Sequence, residues 1–272
     1  MFAPHPIKEY PWQDFNWNDY NKRNYDHPCG ADILLANKVI DALANLGLTG
    51  TYHTAFEIGA CASLRSAGSV APLLSETGVY TFSDVTPILV NATREAVHNA
   101  AEGRLGRWLA HQDAMARHNP DWRDCIENVC RKAEFSQKNI FKNLYYPSSL
   151  QIQSTQIAVA GHTLESITDN REEYARGFTT WANSLVLGTP KKPSIGVMYY
   201  TVGSNGYKDS SDGLTYPAVP VYPQDIELNA RTNRLEVVMS EWVPKNPEED
   251  VRDPQDATTY AGLGAAVMLK YR

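Results

Sequence analysis

Residues 52–85 read YHTAFEIGACASLRSAGSVAPLLSETGVYTFSDV and contain two apolar runs, one on each side of a stretch of small residues. The first run predicts a strand that ends in a turn at Gly59, and the second predicts a strand after Gly78. A helical pattern follows each of them, the second being PILVNATREAVHNAA from Pro87 to Ala101. This alternation favours an α/β fold with a parallel sheet and helices on its faces.

The alternation continues on both sides of this region. Apolar residues at three- and four-residue spacing predict a helix over residues 31–47 that ends at Gly47. Residues 104–131 and 171–188 also have helical patterns, and the residues after the Gly/Ser/Asp-rich loop at 203–220 suit either a helix or a loop. Further apolar runs predict strands three to five and a terminal antiparallel hairpin: AEFSQKNIF (133–141), TQIAVAGHTLESIT (155–168), KPSIGVMYYTV (192–202), LEVVMSEWV (235–243) and GAAVMLKYR (264–272).

The composition argues against several function classes. The chain has 272 residues, of which 43% are hydrophobic, enough for the core of one large domain. A formal net charge of -6, without a cluster of Lys or Arg, argues against a nucleic-acid partner. No run approaches the roughly 20 apolar residues that span a bilayer, and the polar, aromatic start is unlike a signal peptide. We therefore expect a cytoplasmic protein with no membrane partner.

The cysteines give no sign of a metal site. None of the four stands in a C-x-x-C pair or at zinc-ligand spacing from a histidine: Cys29, Cys61, Cys125 and Cys130. We expect reduced thiols, no metal, and a monomer or weak homo-oligomer.

Residues 1–30 differ in character from the rest of the chain. Their core, YPWQDFNWNDYNKRNY (10–25), is rich in aromatic and amide side chains and has no clean helical or strand period. This pattern predicts an appendage that packs on the rest of the chain, and an aromatic appendage of this kind often forms a lid.

The region from Glu57 to Asp84 also has the elements of a nucleotide-type site. Gly59 and the small residues 60–63 follow the first strand, where a ligand approaches the backbone, and Asp84 ends the second strand, where a carboxylate accepts ribose hydroxyls. An ordinary strand-to-helix turn and a helix cap explain the same residues equally well. A nicotinamide dinucleotide is disfavoured, because G-x-G-x-x-G lacks its second and third glycines here.

A resemblance to a known family rests on six segments. They are DFNWNDYNKRNY (14–25), EIGACASL (57–64), VYTFSDVTP (79–87), AVAGHTLESIT (158–168), IGVMYYTVGSNGY (195–207) and YPAVPV (216–221). In order and spacing they resemble the small-molecule methyltransferases typified by nicotinamide N-methyltransferase, phenylethanolamine N-methyltransferase and thioether S-methyltransferase. The resemblance spans nearly the whole chain. It implies a Rossmann-like class I methyltransferase fold with a mostly parallel seven-stranded sheet and S-adenosylmethionine as cofactor. Residues 1–50 would form an N-terminal lid and helix, and residues 51–272 the catalytic domain.

The same resemblance implies roles for individual residues. Cofactor contacts would come from the lid and from the ends of strands one to four: Tyr20, Tyr25, Gly59, Ala60, Ser63, Asp84, Asn139, Ile140 and Thr163. The acceptor pocket would be lined by residues after strands four and five: Glu165, Tyr199, Tyr200, Ser204 and Tyr207. The candidate catalytic residues are Tyr20, Asn139, Tyr199 and Ser204.

Some of these residues have a second interpretation. An aromatic face stabilises a sulfonium cation by about 0.5 to 2 kcal/mol, which favours Tyr20 and Tyr25 as cofactor contacts rather than packing residues. Tyr199, Tyr200 and Tyr207 suit either the pocket or the core, because alternate strand positions point inward.

Two ionisable residues near the end of strand four are also ambiguous. His162 suits a general base or a hydrogen-bonded wall of the site. Glu165 suits a substrate carboxylate or a residue favoured at a helix start by the helix dipole.

Three functions stay open from the sequence. The first is methyl transfer to an N, S or O acceptor on a small molecule, in secondary metabolism. The second is an intramolecular cyclisation of the cofactor, and it is suggested by Asn139, which replaces an aspartate common in the family. The Asn139 amide can accept a hydrogen bond from the cofactor's amine and orient that amine toward the cofactor's γ-carbon. The products would then be azetidine-2-carboxylate and methylthioadenosine, as in the azetidine-2-carboxylate synthases that resemble this family. The third is a non-catalytic protein that binds the cofactor or a partner.

Overall fold

The computed structural model describes residues 30–84, 86–120, 124–137, 155–208, 215–245 and 260–272, together with Asp14, Asn16, Asn18 and Lys22. The strands in this part of the chain are β1 (Tyr52–Ile58), β2 (Leu74–Asp84), β3 (Ala133–Gln137), β4 (Ile157–Gly161), β5 (Ser194–Val202), β6 (Tyr207–Lys208), β7 (Thr215–Tyr216), β8 (Glu236–Pro244) and β9 (Gly262–Lys270). Seven of them form one sheet in the order β3-β2-β1-β4-β5-β9-β8, and β6 pairs with β7.

The sheet has the predicted mixed topology. Strands β1 to β5 are parallel to their neighbours, whereas β9 is antiparallel to β5 and β8 is antiparallel to β9. The α/β class, the mostly parallel seven-stranded sheet and the terminal hairpin are therefore confirmed. The carboxyl ends of β1, β2, β4 and β5 meet along one edge, and ligands of open α/β sheets bind at that edge.

Helices cover both faces of the sheet. They are α1 (Gly30–Ala44), α2 (Arg65–Val70), α3 (Pro87–Ala101), α4 (Trp108–His118), α5 (Cys125–Cys130), α6 (Arg171–Ser184) and α7 (Pro223–Thr232). Val197 and Tyr199 of β5 belong to the apolar cluster that includes α1, while Met198 and Tyr200 belong to the cluster that includes α6. None of the described helices combines the length and apolar character that crossing a bilayer requires.

The helix predicted over residues 31–47 is α1 and its terminating turn. Gly47 has φ +66° and donates its N–H to the carbonyl of Ala44 at 3.0 Å. Such a left-handed glycine is a common helix terminator, so the predicted glycine stop is confirmed.

The helical pattern over residues 104–131 is two helices rather than one, because a proline interrupts it. Asn119, which precedes Pro120, has the extended backbone (φ -143°, ψ 91°) that proline imposes on its neighbour. The helix predicted over residues 171–188 likewise ends early, at Ser184. Leu185 turns extended and pairs with Thr155 in an isolated bridge, so tertiary pairing ends the helix.

The start of β2 differs from the sequence prediction, and the segment that suited either a helix or a loop is a helix. Strand β2 begins at Leu74 rather than after Gly78, and a register shift against β1 lies between Tyr52 and Thr54. A Cβ at Gly78 would lie 2.9 Å from the carbonyl oxygen of Tyr52, which is too close for a side chain. This explains why a glycine stands within the strand. The ambiguous segment before β8 is the helix α7, which begins at a proline.

Candidate functional site

The loop that joins β1 to α2 has an unusual backbone. Gly59 has φ +65°, and Cys61 and Ala62 follow with φ values of 45° and 56°. Non-glycine residues rarely adopt this region, and each costs about 1 kcal/mol or more there, so the surrounding structure must hold them. A Cβ on Gly59 would lie 2.3 Å from the Thr163 hydroxyl oxygen, so glycine is required sterically as well as by its φ angle.

Three hydrogen bonds fix this loop to β2 and α3. The Ala60 N–H donates to the carbonyl of Ser83 at 3.2 Å, and the Cys61 N–H donates to Asp84 Oδ2 at 2.8 Å. The Ala62 N–H donates to the Thr93 hydroxyl at 2.9 Å. The strained loop is thus tied to β2 and to the helix that follows β2 in the chain.

Asp84 is brought to the loop as the sequence predicts. It is the last residue of β2, is 3% exposed, and orients its carboxylate through the bond from Cys61. A carboxylate offers about four lone-pair sites, so it accepts several donors at once, and the Cys61 N–H is one of them. Ser63 completes the turn by donating its N–H to the Ala60 carbonyl at 2.7 Å.

Thr163 links the ends of β1 and β4 beneath this loop. Its hydroxyl donates to the carbonyl of Ile58 at 3.0 Å and lies 3.1 Å from the carbonyl oxygen of Gly161. The structure therefore places Gly59, Ala60, Ser63, Asp84 and Thr163 around one loop, as predicted. Whether they touch a cofactor stays a prediction.

Thr93 is a residue of this site that sequence reasoning missed. It lies on α3, accepts from the Ala62 N–H and donates to the carbonyl of Leu89 at 2.8 Å. A threonine within an amphipathic helix carries no signal in sequence that it supports a loop 31 positions earlier.

Replacing Thr93 with valine is expected to loosen the loop, because valine keeps the volume but leaves the Ala62 N–H without its acceptor. We expect a loss of about 1 to 2 kcal/mol in the free energy of unfolding, and weaker ligand binding at the loop. Urea denaturation measures the first effect. Thr180→Val on α6 is the matched control, since Thr180 makes the same bond to the residue four positions earlier and is also buried. Equal losses in both variants would contradict a role specific to the loop.

Glu165 turns its carboxylate into the protein. Its side chain is fully buried, Oε1 accepts the Thr201 N–H at 2.9 Å, and Oε2 has no hydrogen-bond partner. Burial raises the pKa of Glu165 to about 7, against the lowering effects of the Thr201 bond and the Arg65 charge. A carboxyl group that titrates near neutrality is suited to accept or donate a proton. Glu165 belongs to a short 3₁₀ turn, Leu164–Ser166, and its carboxylate contacts the β5 backbone.

The raised pKa has a consequence for stability. The folded protein holds the Glu165 proton more tightly than the unfolded chain, so this group's contribution is lost as pH rises from about 4.5 to about 7. Glu165→Gln removes that loss. We expect its stability relative to wild type to rise by on the order of 2 kcal/mol between about pH 5 and pH 8.

Urea denaturation at both pH values measures this difference. The control is Glu95→Gln, at an exposed position of α3, which should give little difference between the two pH values. The same stability difference in both variants, or none in either, would contradict the inference about Glu165.

His162 lies beside Glu165. Its Nδ1 is 3.7 Å from Glu165 Oε1 and 3.1 Å from the Thr201 hydroxyl, and its backbone has φ 53°. The backbone N–H of His162 donates to the carbonyl of Tyr199 at 2.8 Å. These contacts fit both interpretations of His162, as a general base and as a hydrogen-bonded wall of the site.

Two of the tyrosines predicted to line the acceptor pocket are packed in the core of the described structure. Tyr199 and Tyr200 are buried in opposite apolar clusters, and burial raises the pKa of both phenols. The Tyr200 ring lies against Gly264, where a Cβ would approach it to 2.4 Å. Ser204 is buried with its hydroxyl 3.3 Å from the N and O of Gly206. Contact of these residues with an acceptor stays a prediction.

Several predicted residues lie outside the described part of the chain. They are Tyr20, Tyr25, Asn139 and Ile140, together with the side chain of Tyr207. Cys29 and the side chain of Cys125 also lie outside it, whereas Cys61 is partly buried and Cys130 is buried. Among the described residues, no group of three or more His, Cys, Asp or Glu is placed to hold a metal ion.

Two solved structures that are similar in fold to this chain are methyltransferases. An S-adenosylmethionine-dependent methyltransferase from Clostridium acetobutylicum ATCC 824 is 9% identical, with coverage of 94% of this chain and 98% of its own and a TM-score of 0.53. An S-adenosylmethionine-dependent methyltransferase from Aquifex aeolicus is 12% identical, with the same coverage and a TM-score of 0.52. No family model and no curated protein sequence matches this chain. At these identities the likeness shows the fold, which is the Rossmann-like fold of class I methyltransferases.

Proposed function

We propose that the protein is an S-adenosylmethionine-dependent methyltransferase that acts on a small molecule. The observation that carries the proposal is the Asp84 carboxylate at the end of β2, held by the Cys61 N–H beside the strained loop 59–63. In a fold of this type an acidic residue at this position accepts the ribose hydroxyls of an adenosine ligand.

The described residues fit this cofactor chemically. Asp84 supplies acceptors for two hydroxyl groups, and the small side chains of Ala60, Cys61 and Ala62 allow close approach to the loop backbone. When bound, the cofactor supplies an electrophilic methyl group on a sulfonium. Because the sulfonium is already a good leaving group, the protein contributes mainly orientation and exclusion of water.

Glu165 and His162 are the proposed proton acceptors at the acceptor side of the site. Their side chains lie within 3.7 Å of each other at the end of β4. A carboxyl group with a pKa near 7 accepts the proton that an amine, thiol or hydroxyl acceptor loses on methylation. The cyclisation alternative depends on Asn139, which lies outside the described residues.

Incubation of the pure protein with S-adenosylmethionine, with and without a panel of amine, thiol and hydroxyl acceptors, tests the proposal by mass analysis. We expect S-adenosylhomocysteine together with one methylated acceptor. Methylthioadenosine with azetidine-2-carboxylate in the absence of any acceptor would replace methyl transfer by cyclisation. An intact cofactor that nevertheless binds would indicate a non-catalytic protein.

A further inference from the structure

A buried ion pair joins α1 to the helix that follows the cofactor loop. Arg65 Nη1 lies 2.6 Å from Asp32 Oδ1, and the two side chains are 3% and 8% exposed. Arg65 is the only arginine or lysine that is buried among the described residues. A buried ion pair rarely gives more stability than apolar residues of similar size would give, so its presence calls for a different explanation.

Arg65 is attached directly to the loop. It is the first residue of α2, and its backbone N–H lies 3.4 Å from the Ser63 hydroxyl. On its other side the guanidinium lies over the ring of Tyr199 in β5, 5.4 Å from the centroid. Arg65 therefore follows the end of loop 59–63 directly, and its side chain contacts the sheet at Tyr199 and α1 at Asp32.

The charge of Arg65 also reaches the carboxyl groups beneath the loop. Glu57 is buried, accepts the Tyr80 hydroxyl at 2.8 Å, and has its pKa raised to about 7 by burial, an effect that Arg65 opposes. Arg65 opposes the same effect at Glu165. The guanidinium charge thus acts on two buried carboxyl groups besides that of Asp32.

Asp32 lies at the start of α1. The helix begins at Gly30, the last of the residues 1–30 that the sequence predicts to be the lid, and Asp32 is the acidic residue of its first turn. The ion pair therefore joins the point where the predicted lid enters the domain to the first turn after the loop.

We propose that Arg65 and Asp32 are a positioning pair that fixes loop 59–63 relative to α1 and so sets the affinity for the cofactor. This inference rests on the proposed function. The loop needs such support, because Cys61 and Ala62 hold left-handed conformations that relax unless neighbouring contacts maintain them. Neither side chain of the pair is assigned a contact with the cofactor.

The test replaces the pair with apolar residues of similar size, Asp32→Leu with Arg65→Met, which keeps the fold while removing the ionic link. The matched control is Lys38→Met with Glu241→Leu, an ion pair of 3.1 Å that joins α1 to β8, with both side chains substantially exposed. Calorimetry gives the Kd for S-adenosylhomocysteine, and amide hydrogen exchange gives the local opening of residues 60–63. Asp32→Asn is the second variant, in case the double variant does not fold.

We expect the double variant to bind about tenfold more weakly, and Asp32→Asn about threefold more weakly, since small displacements of a positioned group have large effects. Exchange should be faster at residues 60–63 and unchanged in β4, and the control pair should behave as wild type.

Unchanged Kd and unchanged loop exchange in Asp32→Asn and in the folded double variant would overturn the inference, as would exchange that is faster in β4 as well. Wild-type protein that does not bind S-adenosylhomocysteine would instead contradict the proposed function.

Discussion

Asp84→Asn is expected to weaken S-adenosylmethionine binding by about 1 to 3 kcal/mol, a roughly 5- to 150-fold rise in Kd. The asparagine keeps an oxygen that accepts the Cys61 N–H, so the loop stays anchored, but the charge that strengthens hydrogen bonds from ribose hydroxyls is lost. Asp84→Ala removes both the charge and the loop anchor, and its Kd should rise further.

Calorimetric titration with S-adenosylmethionine measures both variants. Asp113→Asn, at an exposed position of α4, is the control for the loss of one acidic charge. Affinity unchanged in Asp84→Ala would count against the whole site assignment.

Gly59→Ala is expected to be the most damaging single substitution at the loop. A Cβ there would lie 2.3 Å from Thr163 Oγ1 and 2.4 Å from its Cγ2, and the residue would also have to hold φ +65°. We expect a loss of about 3 kcal/mol or more in the free energy of unfolding, together with loss of cofactor binding.

The control for this variant separates its two causes. Gly47→Ala has nearly the same backbone angle, φ +66°, but nothing lies within 4 Å of the added Cβ. It should lose only about 1 kcal/mol, the cost of the left-handed conformation. Thr163→Ala in the Gly59→Ala background removes the two nearest atoms and should restore part of the stability. Equal losses at the two glycines would contradict the steric role of Thr163.

The sequence predicted the sheet well because the signal is local. Apolar runs separated by helical patterns define β1 to β5 and the terminal hairpin, and the predicted mostly parallel sheet with an antiparallel hairpin is observed. Element ends were predicted less well. The end of α6 at Ser184 depends on the pairing of Leu185 with Thr155, a contact between distant residues that no local pattern reports.

The same distinction holds for the site. Gly59 and Asp84 were found because their positions relative to the strands are fixed by the fold class. The contacts around loop 59–63 were not predicted, since Thr93 and the Asp32–Arg65 pair join elements that are distant in the sequence. Tyr199 and Tyr200 stayed ambiguous because nearly all of β5 is buried, and a strand buried on both faces has no polar alternation to show its orientation.

Binding of S-adenosylmethionine to the wild-type protein tests the central claim most directly. Calorimetric titration should give saturable binding with one site per chain, and S-adenosylhomocysteine should compete for it, whereas NAD should not. Absence of binding by both adenosyl ligands to folded protein would contradict the account.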